Sequence, residues 1–236
     1  MKKVSIITVC RNSETTIEKT INSVLEQDYS NIEYIIIDGK STDSTLFILK
    51  RYQNLKFISE EDSGIYNAMN KGIDLATGDV ISFINSDDTY ISSDVVSKMM
   101  KKFNNGYEGV LCSSLIYDKS NSQIKIISKI HKMKYNITLN HPGSFLSSEI
   151  HKNNKFNENY KIAADYDLFL RLINQKVIIK SLDIYTCKMT SGGASSNFYD
   201  TTKDVFLIQR NYFGTIWALI IFSKRVTLHF IRKILR

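Results

Sequence analysis

The stretch VISFINSDDTY, residues 80–90, decides how this chain is read. Its first six residues, Val80 to Asn85, have the unbroken apolar character of a buried strand. The chain then meets two adjacent carboxylates, Asp87 and Asp88. Like charges at a strand end repel and favour no packed core, so the pair needs something to face. Taken alone, it also fits a turn whose aspartate caps the following segment, SSDVVSKMMKKF.

Upstream the same rhythm repeats. KVSIITV (3–9), IEYIIID (32–38) and LKFIS (55–59) read as strands. Between them, Ile17, Ile21, Val24 and Leu25 recur with helical spacing, DSTLFILKRY (43–52) reads as a second helix, and GIYNAMNKGIDLA (64–76) as a third. Apolar strands alternating with helices predict a parallel sheet covered on both faces. Ligands of such sheets sit beyond the carboxyl ends of the strands. Those ends read TVCRN, IIIDGKSTD, ISEEDSG and INSDD, so a polar, acidic rim is expected. Downstream, VLCSSLIYD and QIKIISKI are expected to form a hairpin, and AADYDLFLRL (163–172) a helix.

The class of ligand narrows by exclusion. Neither a G-x-G-x-x-G after the first strand nor a G-x-x-x-x-G-K-[ST] occurs, which removes the common dinucleotide and P-loop cradles. A diphosphate would then need a hard divalent cation held by carboxylates. Of the net charge of +7, +5 lies in residues 224–236, so no basic stripe marks the domain for nucleic acid. Three scattered cysteines give neither a disulfide framework nor a zinc site. MKKVSIITVCRNSE turns polar too soon for a signal peptide, and a cytoplasmic location is expected.

Several blocks, VSIITVCRN, IEYIIIDGKSTDST, GIYNAMNKGIDLATGDVISFINSDD, HPGSFLS and NENYKIAADYDLFLRLI, together resemble family 2 glycosyltransferases of the GT-A fold. The resemblance implies an α/β fold with a mostly parallel central sheet flanked by helices. It also implies an inverting enzyme that moves a sugar from a nucleotide-diphospho-sugar to a saccharide acceptor, lipid-linked, in cell-surface polysaccharide synthesis. By that resemblance Asp88 would hold Mg²⁺ or Mn²⁺, and Asp87 would contact the ribose or a metal-bound water. Thr8, Arg11, Asn12 and Asp38 would line the nucleotide pocket. Asp62 would close that pocket or cap the next helix. Asp165 aligns with the carboxylate that takes the acceptor hydroxyl's proton, while Asp167 is expected to pair with Arg171 four residues on. Gly39 departs from the pattern, since many members carry a second aspartate there. His141 is an acceptor or diphosphate contact or a surface loop residue; Gly192 and Gly193 form a phosphate-facing loop or a plain linker. Rival readings are a sugar nucleotidyltransferase, which CRNSET opposes by lacking glycine, and a non-catalytic binding module.

Residues 1–211 are expected to form the transferase domain, divided near residue 90 into donor and acceptor halves. Residues 212–236 read as a basic amphipathic helical tail. Its apolar run is too short to span a bilayer, and its composition suits the inner membrane surface.

Overall fold

The computed structural model describes residues 1–119, 122–139, 141–190 and 197–234. Strands β1 (Val4–Cys10), β2 (Ile32–Asp38), β3 (Lys56–Ser59) and β4 (Val80–Phe83) lie in the order β3-β2-β1-β4 and are all parallel. Helices α1 (Ile17–Leu25), α2 (Thr45–Leu49) and α3 (Ile65–Leu75) make the crossovers. Alternate residues of each strand enter opposite cores. Ile7, Ile35, Ile37 and Ile81 pack on the side of α3, whereas Ile6, Ile36 and Val80 pack on the side of α1. Each such side chain, fully withdrawn from water, contributes roughly 1.5–3 kcal/mol.

Beyond β4 the sheet changes character. β8 (Phe145–Ser147) adds antiparallel to β4, β6 (Val110–Lys119) antiparallel to β8, and β9 (Ile179–Thr190) parallel to β6. The short β5 (Thr89–Tyr90) pairs antiparallel with the end of β9, and β7 (Ser122–Ile126) forms the expected hairpin with β6. The sheet is therefore parallel over its first four strands and mixed beyond them, where a mostly parallel sheet was expected. The switch strands β5 and β8 have two and three residues, too few to show a period. β4 also stops at Phe83; Ile84 still donates to Ile7 O, and Asn85 to Asp88 close a turn.

One polar knot ties the parallel half of the sheet together. Glu33 is buried in β2 and accepts from Ser5 Oγ (2.6 Å), Thr77 N (2.8 Å), Thr77 Oγ1 (2.9 Å) and Lys56 Nζ (2.8 Å). Burial opposes its charge, but the bonds from Lys56, Ser5 and Thr77 prevail and hold its carboxyl at about 2.

Helices α4 (Val95–Asn104), α5 (Ser148–Asn153) and α6 (Ala164–Asn174) complete the domain. α7 (Phe198–Phe213) continues past residue 211 and ends at Gly214, whose φ of 87° favours glycine. α8 (Thr215–Ile234) then folds back antiparallel along α7, with ring contacts Phe206–Phe222 (5.7 Å) and Phe198–His229 (3.8 Å).

Candidate active site

The carboxyl ends of β1, β2, β3 and β4 do converge on one rim. At β4, the turn that ends the strand is fixed by Asp88 N donating to Asn85 O, while Thr20 Oγ1 on α1 donates to Asp88 O (2.8 Å). The Asp88 side chain is 1% exposed; it accepts from Asn85 Nδ2 (3.0 Å) and from the Thr190 amide of β9 (3.3 Å). Thr190 Oγ1 also donates to Asp87 O (2.8 Å), so the end of β9 braces both aspartates. Burial, then the charge of Asp87, pushes the Asp88 carboxyl up to about 8, and burial raises that of Asp87 as well. No lysine, arginine or histidine among the described residues contributes to either shift.

A buried and a half-buried carboxylate side by side, with no positive partner, suit a cation. Among the described residues no group of three His, Cys, Asp or Glu side chains could hold a metal by itself. That donor set fits Mg²⁺ or Mn²⁺ arriving with a diphosphate, because Mg²⁺ takes one or two carboxylates and fills its remaining positions with water and phosphate oxygens.

Asp165 lies in the first turn of α6 and is 14% exposed. Its Oδ1 accepts from Tyr166 N (2.8 Å), and its Oδ2 lies 3.2 Å from His141 Nδ1. The other ring nitrogen of His141 lies 3.5 Å from Asn85 Oδ1. Asn85 presents its amide nitrogen to Asp88 and its amide oxygen to the His141 ring. His141 thus bridges the α6 carboxylate and the turn that carries Asp87 and Asp88, its ring edge set against Phe83 and Phe156. The loop before α6 is clamped from both sides. Asp204 of α7 accepts from the amides of Ile162 (2.8 Å) and Ala163 (3.2 Å), and Tyr66 of α3 donates to Ile162 O. Asp167 pairs with Arg171 Nε at 2.9 Å, as the spacing predicts.

The residues expected to line a nucleotide pocket divide. Arg11 and Asn12 are exposed at the end of β1; Asn12, with φ 51°, accepts from Thr42 N (2.8 Å). Thr8 and Asp38 are 0% exposed. Thr8 Oγ1 lies 3.1 Å from the buried Tyr34 hydroxyl, and Asp38 accepts from Ser41 N, Ser41 Oγ and Ser59 Oγ. Neither reaches the open rim; Asp38 instead holds the loop that carries Gly39. A Cβ built on Gly39 would meet Asp62 Oδ2 at 2.3 Å and Arg11 Cβ at 3.5 Å. The Asp62 carboxylate therefore occupies the space that a side chain at position 39 would need. Asp62 Oδ1 accepts from Gly64 N (3.0 Å), and Gly64, not Asp62, caps α3. Gly192 and Gly193 lie outside the described residues.

Sequence reading missed Asn85, Thr190, Asp204 and Tyr66. The first two stood beside motifs already singled out, in INSDD and before SGG. Asp204 and Tyr66 carried no local signal.

An acidic rim at the carboxyl ends of a parallel half-sheet, faced by the α6 carboxylate, marks an α/β protein whose ligand sits beyond the strand ends. The chain matches Glycosyl transferase family 2 over residues 5–180 and belongs to that family. It is similar to the GalNAc(5)-diNAcBac-PP-undecaprenol beta-1,3-glucosyltransferase of Campylobacter jejuni, 28% identical over 220 residues, which cover 84% of this chain and 70% of that one. The putative teichuronic acid biosynthesis glycosyltransferase TuaG of Bacillus subtilis is 39% identical over 92 residues, covering 37% and 36%. In fold it is similar to S. aureus TarS 1-349 in complex with UDP-GlcNAc, with TM-score 0.73 and 21% identity over 97% of this chain and 72% of that one. It is also similar to mannosyltransferase PcManGT from Pyrobaculum calidifontis in complex with GDP-Man and Mn²⁺, with TM-score 0.68 and 14% identity over 96% and 74%.

Proposed function

We propose that this glycosyltransferase moves a sugar from a nucleotide-diphospho-sugar to a hydroxyl of a lipid-linked saccharide by a single displacement with inversion. It would act in cell-surface polysaccharide synthesis at the inner face of the cell membrane. The observation that carries the mechanism is the Asp165–His141–Asn85–Asp88 chain, which puts one carboxylate opposite an acidic pair. Asp165 receives the proton of the acceptor hydroxyl as its oxygen bonds to the anomeric carbon; the bond to the diphosphate breaks and the diphosphate leaves with the electron pair. His141 holds the Asp165 oxygen in place. Asp88, with Asp87, would hold Mg²⁺ or Mn²⁺, which when bound neutralises charge on the departing diphosphate. Arg11, Asn12 and Asp62 line the nucleotide side. The similarity to a transferase named for an undecaprenol-linked substrate supports a lipid-linked acceptor.

The test is a panel of nucleotide-sugars incubated with Mn²⁺ and scored for product. Release of a nucleoside diphosphate from at least one donor is expected. Conversion of a donor to nucleoside triphosphate and sugar-1-phosphate when pyrophosphate is added would indicate a nucleotidyltransferase, and no turnover of any donor would indicate a binding module; either contradicts the proposal.

A further inference from the structure

The α7–α8 hairpin carries a surface that the transfer reaction does not use. α8 presses Ala218 (0% exposed) and Ile221 (5%) into the domain, while Trp217 Nε1 donates to Lys134 O (3.3 Å) and Arg225 to Asn136 Oδ1 (3.2 Å). The opposite face carries Ile216, Leu219 and Ile220 and, ten residues beyond Ile220 on the same face, Phe230 and Ile231. These side chains are 79%, 51%, 54%, 56% and 45% exposed. A helix that packs only through its inner face needs no apolar outer face, so this stripe awaits a partner.

Charge selects that partner. Val205 to Arg236 contains six cations and no acidic residue. Lys224 and Lys233, both exposed, flank the stripe, and α8 has no acidic residue with which to neutralise them. A second copy docking on the same face would bring these lysines near their own equivalents, since a two-fold contact repeats one patch on both sides. A bilayer containing anionic lipid offers apolar depth for the stripe and negative headgroups for the lysines. Among the described residues no helix is long and apolar enough to cross a membrane, which suits a helix lying in the interface. The basic half of α8 lies within reach of the catalytic rim. His229 stacks on Phe198, and Phe198 is eight residues, at most about 30 Å of extended chain, from Thr190 beside Asp88.

We infer that the outward face of α8, Ile216 to Ile231, is the docking surface for an anionic lipid bilayer and sets the catalytic rim close to it. This rests on the reading above in which the acceptor is lipid-linked, and it defines which surface meets the membrane.

The test compares the full chain with two variants, Ile216→Ser/Leu219→Ser/Phe230→Ser and Lys224→Gln/Lys233→Gln. Each is sedimented with vesicles of phosphatidylcholine, with or without phosphatidylglycerol. The full chain should bind the phosphatidylglycerol vesicles. The serine variant should bind more weakly by on the order of 10²-fold, with unchanged circular dichroism. The glutamine variant should lose about fivefold for each lysine, on phosphatidylglycerol vesicles alone. Donor hydrolysis in solution should be the same in all three. Unchanged binding by the serine variant, or no binding by the full chain at low salt, would overturn the inference. So would a dimer abolished by the same serines in a chain that ignores vesicles. Absence of donor hydrolysis in a chain that binds vesicles as expected would count against the transferase reading alone.

Discussion

At the scale of residues, two placements carry the proposed chemistry. Gly39 and Asp62 compete for one volume, so the absence of a side chain at 39 and the presence of a carboxylate at 62 are a single feature. Gly39→Ala should fold normally, because the displaced atom is the end of a flexible side chain and the backbone there is not left-handed. It should raise the donor KM by roughly tenfold or more, the loss expected for one hydrogen bond to a charged group. An unchanged KM would show that Asp62 does not touch the donor. In the proposed mechanism His141 acts through another group, the Asp165 carboxylate. Displacing a positioned base by an ångström costs on the order of 10²-fold, so His141→Ala should lower kcat by about that factor and leave donor KM within a few-fold. His141→Gln, whose side-chain amide can hydrogen-bond Asp165, should recover part of the loss. If KM and kcat fall into step for both variants, the residue merely supports the fold.

At the scale of elements, α5 places a histidine where its charge cannot be hydrated. His151 is 1% exposed, its ring set edge-on to Phe83 and Phe156, and its Nδ1 has no partner among the described residues. Burial pushes its pKa down to about 4. The unfolded chain binds this proton near pH 6.5 and the folded chain only near 4. Stability from this residue is therefore complete above pH ~6.5 and is lost as pH falls towards 4, at up to about 1.4 kcal/mol per pH unit. Urea midpoints measured over that range should fall less steeply for His151→Leu than for the natural chain; parallel slopes would refute the assignment. The elements themselves were legible where their period was long. β1, β2 and α3 declare themselves through seven- and eleven-residue patterns. β5 and β8 did not, because strands so short get their partners from tertiary contact rather than from pattern.

At the scale of the whole molecule, the sequence shows the two halves but not how they meet. The rim could be read from four strand ends, whereas the contacts that complete it are long-range. Asp165 touches His141 24 residues away, His141 reaches Asn85 56 residues away, and Asp88 meets Thr190 102 residues away. Asp204 fixes the loop before Asp165 from 42 and 41 residues downstream. No local spacing encodes such pairs, and only the family pattern brought Asp165 and Asp88 into one account. That account makes transfer depend on a cation held at the acidic pair. Asp88→Asn should keep its fold, since removing one of two like charges relieves repulsion, and should lose about 10²–10³ in rate, as for loss of one stabilising group at a developing charge. Activity within a few-fold of the natural chain, assayed with and without Mn²⁺, would contradict the metal role. The central claim is that Asp165 is the base, and the measurement that meets it most directly pairs two numbers from Asp165→Asn: the affinity for donor and the rate of transfer. The account predicts donor affinity within about threefold of the natural chain and a rate lower by ~10²–10⁴. A rate within tenfold, or affinity and rate falling together, would contradict it.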